Sequence, residues 1–115
     1  MIVRLWRARV EQHRIAEYEE NEYSRSAPMF RSQPGCLGVM FLRSSGNCCA
    51  LSLWRDLESV EALQTSPSYL EASAFYSESG MLVGDPSLEV FEVRGGFFDL
   101  EALAHAKLDV GLCSS

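Results

Sequence analysis

Tyr18, Glu19, Glu22 and Tyr23 fall at helical spacing in a glutamate-rich stretch, so a phenol and a carboxylate can share one helix face. Turned toward a pocket, such a carboxylate is a general base able to remove a phenolic or α-keto proton. Turned outward, it belongs to an ordinary solvated face. Trp54 closes an apolar run. At the mouth of a space between sheet and helices its indole would stack on a planar substrate and its N–H would donate to a ketone oxygen; the competing reading is a large core aromatic. Trp6 with Arg4 and Arg7 forms a third group. A buried Arg holds an enolate or carboxylate, whereas arginines alternating along a strand also serve as its solvated side or as interface salt bridges. Tyr69, Ser73 and Tyr76 complete a candidate pocket wall, with packing as the alternative. The catalytic candidates are therefore Trp54, Tyr18 and Glu22, and the pocket candidates Trp6, Arg7, Tyr69, Ser73 and Tyr76. His13 and His105 stand alone and read as exposed. No Ser-His-Asp order, phosphate-cradling glycine loop or metal-ligand cluster is present in the sequence, so neither a metal nor a cofactor is expected.

The totals narrow the setting. A chain of 115 residues is one domain, and 47% apolar content is that of a globular protein, not of a linker. Sixteen acidic against ten basic residues give a net charge of -6, and no basic stripe tracks a phosphate backbone, which excludes a nucleic-acid partner. The opening MIVRLWRARV interleaves arginines with apolar positions, the pattern of a strand and not of a signal peptide. No apolar run approaches the roughly 20 residues of a membrane span. Cys36, Cys48, Cys49 and Cys113 lack CxxC spacing and read as free thiols in a reducing cytoplasm, where the protein is expected to reside.

The elements that must hold the candidates follow from periodicity. Residues 2–10 read as a strand. Residues 11–26 form a helix that Pro28 either ends or extends by a distorted turn. After the Pro34-Gly35 break, residues 36–43 are apolar at both parities, with Leu37, Val39 and Phe41 expected on one face and Cys36, Met40 and Leu42 on the other. Ser44 to Asn47 make a hairpin loop, and residues 48–55 return, again apolar on both faces. A hairpin with one wet face alternates; this one does not, so both sheet faces need cover. Helices supply one, and a second sheet from a partner copy is the economical cover for the other. Asp56, with Ser59 as second candidate, caps the next helix, and Ser66-Pro67 restarts it to about residue 79. Gly80, Gly84 and Pro86 are expected in a loop before a last strand at 87–94. The order β-α-β-β-α-β is the ferredoxin-like split βαβ unit, an α+β fold with an antiparallel sheet. It occupies residues 1–94, leaving 95–115 as a tail. Within the tail, Asp99 to about Lys107 form either a short helix that docks Leu100, Leu103 and Leu108 or a frayed end.

Three motifs add a resemblance over residues 2–94. Pro34-Gly35 leads into strand two, Trp54 ends strand three, and Ser66-Pro67 restarts the helix that follows. In these the chain resembles the antibiotic-biosynthesis-monooxygenase type of dimeric α+β barrel. The resemblance implies a homodimer formed through the sheet face. It also implies a cofactor-independent monooxygenase acting on a small aromatic or quinone-like substrate, in which the ionised substrate itself passes an electron to dioxygen. The alternative is a non-catalytic small-molecule-binding or accessory barrel, since the superfamily carries several activities. Its haem-degrading members place a ligand His where Ser73 stands, a Trp where Leu63 stands, and an Asn near Trp6 or Arg7; none is matched, which argues against haem degradation.

Overall fold

The computed structural model describes residues 1–106. Four strands, β1 (Ile2–Val10), β2 (Cys36–Ser44), β3 (Asn47–Trp54) and β4 (Leu82–Glu92), form one sheet in the order β2-β3-β1-β4. Every neighbouring pair is antiparallel. The first connection holds α1 (Ile15–Asn21) and α2 (Ala27–Arg31); the second holds α3 (Leu57–Leu63) and α4 (Pro67–Glu78). A short α5 (Leu100–Ala104) follows the sheet, capped by Asp99, whose carboxylate accepts from the Ala102 N–H at 2.9 Å. Lys107, Leu108 and Cys113 lie outside the described residues.

The first connection does not stop at residue 26. Glu22–Ser26 form a wide π turn, with the Ala27 N–H reaching the Glu22 carbonyl, and Pro28 sits in the first turn of α2. Proline lacks an N–H and crowds the carbonyl four residues back, so a widened turn just before it lets the helix restart rather than end. Asp56 is the cap of α3, accepting from the Ser59 N–H at 2.8 Å and the Ser59 hydroxyl at 2.7 Å. Gly35 has φ +83°, and a Cβ there would run into the Ser59 side chain. Its carbonyl accepts from the Arg55 N–H at 2.8 Å, which ties the start of β2 to the end of β3.

Two strand expectations need correction. The last strand begins at Leu82, not at residue 87, and it carries Gly84 and Pro86 within it. The pairing with β1 shifts between Arg7, opposite Ser87, and Arg9, opposite Val83, so Gly84, Asp85 and Pro86 bulge against Ala8. β4 is an edge strand, and a bulge absorbs both the missing proline N–H and the φ of +75° at Gly84. In β2 the register shifts between Cys36 and Gly38. Leu37 is the extra residue and turns out to solvent, while Cys36 packs on the core with Val39 and Phe41.

One sheet face is covered by the helices. Ile2, Arg4, Ala8 and Val10 from β1 and Cys48, Ala50, Ser52 and Trp54 from β3 are buried there. Trp54 and Leu63 are 0% exposed in the larger of two apolar clusters; Tyr18, Tyr76 and Met81 anchor the smaller. The opposite face is largely apolar and uncovered within the chain: Leu37, Met40, Leu42, Val83 and Phe91 are exposed, beside the exposed Arg7 and Arg9 of β1. Among the described residues no helix is long and apolar enough to cross a membrane.

Candidate active site

Between the sheet and the helices lies a cavity of about 180 Å³. Trp6 of β1 reaches it from the sheet, Tyr18 of α1 and Ser26 of the π turn from the first connection, and Tyr69, Ser73 and Tyr76 from α4. The spacing of 69, 73 and 76 is one face of a helix, which is why α4 can deliver all three. The β4 bulge brings Asp85 to the rim. The wall is aromatic: the Tyr18 and Tyr76 rings lie 5.3 Å apart, and Trp6 and Tyr76 6.4 Å apart.

Its polar groups are few and placed. The Tyr76 and Ser26 hydroxyls hydrogen-bond at 2.7 Å. Burial raises the Tyr76 pKa, the Ser26 bond opposing it, and burial raises that of Tyr18 more strongly. Both phenols therefore stay neutral and keep an O–H to donate. Arg4 is 1% exposed. Its Nη2 donates to the Tyr69 hydroxyl at 2.8 Å and its guanidinium stands 5.2 Å from the Tyr69 ring centroid. Its Nε finds no acceptor.

Glu22 is buried within the π turn, and its Oε2 has no partner. Burial, helped by the nearby Glu19 carboxylate and opposed by Arg43, pushes its pKa up to about 8. Its charge is felt by both Tyr18 and Tyr76. Burial likewise pushes the Cys48 thiol up to about 11, with Glu22 adding to the effect. Outside this group, Glu19 and Arg43 form an ion pair at 3.0 Å.

The structure thus brings together Trp6, Tyr18, Tyr69, Ser73 and Tyr76 around one space. It places Glu22 behind the wall rather than in it. Trp54 is not at the mouth: it is sealed in the core, its indole N–H donates to the Ser52 hydroxyl at 2.8 Å, and its ring meets Phe30 edge-on. With that N–H taken and its ring covered, it has nothing to offer a substrate. Arg7 lies on the opposite sheet face, exposed, because strand parity sets it against Arg4. His13 is exposed beside Glu11, at 3.4 Å, and His105 is exposed. Sequence reasoning missed Ser26 and Asp85 as site residues. Asp85 depended on a bulge, and Ser26 on the π turn that begins at Glu22; neither has a plain periodic signal.

A family model described as antibiotic biosynthesis monooxygenase matches residues 1–74. The fold is similar to that of Rv0793 from Mycobacterium tuberculosis, with TM-score 0.69 and 16% identity over 83% of this chain and 96% of that one. It is also similar to SnoaB, a cofactor-independent oxygenase from Streptomyces nogalater, with TM-score 0.68 and 19% identity over 83% of this chain and 94% of the other. A conserved protein from Methanosarcina mazei gives TM-score 0.67 at 16% identity over 79% and 91%. Comparison with curated proteins finds no match.

Proposed function

The chain belongs to the antibiotic biosynthesis monooxygenase family, and on that premise we propose that it is a cofactor-independent monooxygenase of a small aromatic or quinone-like compound. The observation that carries this reading is the cavity itself, an aromatic space of about 180 Å³ between Trp6, Tyr18 and Tyr76, with phenolic O–H groups at its edge. An apolar cavity of roughly 150 Å³ takes a benzene ring, so one or two fused rings match this one. Stacking on Trp6 and the tyrosines holds the ring plane. Hydrogen bonds to its oxygens fix its orientation and exclude water from the carbon that meets dioxygen. The fold relative SnoaB is a cofactor-independent oxygenase, which agrees with a reaction run by the ionised substrate alone. A carboxyl with a pKa of about 8 exchanges its proton near neutral pH, so the ionised fraction of Glu22, which lies behind the wall and whose charge Tyr18 feels, is the acceptor in this reading.

A second reading is a binding or accessory barrel with no turnover. It is favoured by one observation: Glu22 lies behind the cavity wall, so no carboxylate other than rim Asp85 faces a ligand. Oxygen uptake with phenolic and hydroxyquinone compounds separates the two. Uptake that Tyr18→Phe abolishes, with the fold intact by circular dichroism, supports the enzyme. Ligands that raise the melting temperature without any uptake support the binder.

The uncovered apolar face supports a homodimer closed sheet to sheet. Light scattering at micromolar concentration should return the mass of two chains; the mass of one would overturn it.

A further inference from the structure

We propose that the cavity is built for an aromatic anion, with the Tyr69 hydroxyl as the group that meets its ionised oxygen and Arg4 as the charge that compensates it. This rests on the reading of the cavity as an aromatic binding site. It narrows the ligand class to compounds with an acidic ring hydroxyl or a ring carboxylate.

Arg4 is the reason. A guanidinium cannot shed its charge in a protein, and burying an unpaired ion is costly. Yet Arg4 is 1% exposed and, among the described residues, no carboxylate pairs with it. Its cross-strand neighbours on the same face are Ser52 and Val90, neither of them an anion. Ser52 donates to the Arg4 backbone carbonyl, at 3.3 Å, and leaves the guanidinium alone. The one hydrogen bond that the side chain makes runs to the Tyr69 oxygen, at 2.8 Å, and its Nε is left without an acceptor. A cation held this way is a charge waiting for a partner.

Tyr69 passes that charge to the cavity it lines. Its oxygen accepts from Arg4, which leaves its own proton free for another acceptor. An O–H whose oxygen is bonded to a cation is a stronger donor. Charge-assisted bonds of this type contribute about 1.5–3 kcal/mol, or roughly ten- to a hundredfold in affinity, when the acceptor is ionised. A neutral quinone gains far less. The preference is therefore for the deprotonated ligand, which is also the form that the proposed oxygenation consumes.

The test uses two probes of nearly equal shape. 2-Hydroxy-1,4-naphthoquinone is ionised at neutral pH; its 2-methoxy analogue cannot ionise. Binding is read by quenching of tryptophan fluorescence in the full chain. The wild type should bind the hydroxy compound at least about tenfold more tightly. Arg4→Met should erase that preference, weakening the hydroxy compound at least about tenfold more than the methoxy one, and its melting temperature should hold or rise, because an unpaired buried charge has gone. Tyr69→Phe should lose most of the preference with Arg4 still present. 1-Naphthoate distinguishes the two sources: tight, Arg4-dependent binding supports a general aromatic-anion site, and weak binding supports one shaped for a ring hydroxyl.

Equal binding of the two quinones by the wild type overturns the inference and leaves the aromatic cavity standing. So does a preference that survives Arg4→Met. Failure of the wild type to bind either quinone overturns both. A clear anion preference without oxygen uptake upholds the inference and removes the oxygenase reading.

Discussion

The two faces of the sheet have much the same composition and opposite fates. On the helix side, apolar residues of β1 and β3 are sealed: Trp54 has no exposure, and neither do Leu63 of α3 and Met81, which precedes β4. On the other side, Val3, Leu5, Leu51 and Leu53 are half-buried, and Met40, Leu42 and Phe91 stand exposed. The helix side also holds the buried polar atoms that lack partners among the described residues: Arg4 Nε on the sheet, and Glu22 Oε2 and Arg25 Nε in the π turn. That pairing is informative. A well-packed face has enough stability to carry unpaired buried groups, and such groups are retained where they serve a site. The bare face carries no such groups; its polar residues on β1, Arg7 and Arg9, are exposed, and its apolar surface is of the kind another sheet covers.

The sharpest way to break this contrast is to open the sealed face. Trp54→Ala should cost about 3–5 kcal/mol in urea unfolding, the range for a large buried aromatic. A loss below about 1 kcal/mol would mean that the helix side is not the structural core.

The bare face is tested by charge. Met40→Glu combined with Leu42→Glu should convert a two-chain mass into a one-chain mass by light scattering. Each change should alter the stability of the folded chain itself by no more than about 0.5 kcal/mol. A wild type already at one chain, or a double variant still at two, contradicts the pairing of sheets.

Glu22→Gln probes the cost of the sealed carboxyl through pH. Burial raises its pKa from 4.5 to about 8 in the folded chain. The folded state therefore keeps a proton that the unfolded chain releases, so the contribution to stability is complete below about 4.5 and is lost as pH rises through about 8. The glutamine variant should be the more stable by roughly 1–3 kcal/mol near pH 8 and no more stable near pH 4. Parallel melting-temperature profiles for the two proteins would show that Glu22 is not held protonated.

The smallest effect is expected at the surface, away from the cavity. Arg43→Gln removes a partly exposed ion pair with Glu19, worth about 0.2–1 kcal/mol and screened by salt. It should also raise the Glu22 pKa a little further, since Arg43 opposes that shift.

Much of the fold was legible because it follows from short-range pattern. The apolar parity of the 36–43 and 48–55 segments, the Pro34-Gly35 break and the Asp56 cap act over a few residues, and together they set element order and sheet type. The candidates Tyr69, Ser73 and Tyr76 were legible for the same reason, as one face of one helix. Parity also separated the two arginines: Arg4 shares its parity with Ile2, Ala8 and Val10, the buried set, and Arg7 does not. The sequence by itself thus determined which elements form, in what order, and, outside the bulges in β2 and β4, which residues ride on each face. Only the tertiary structure decided that Trp54 is covered and its N–H taken, that a bulge swings Asp85 to the rim, and that a π turn before Pro28 buries Glu22 without a partner. Those outcomes depend on register and on contacts between residues far apart in the chain, such as Arg4 with Tyr69, and no local periodicity encodes a contact of that range.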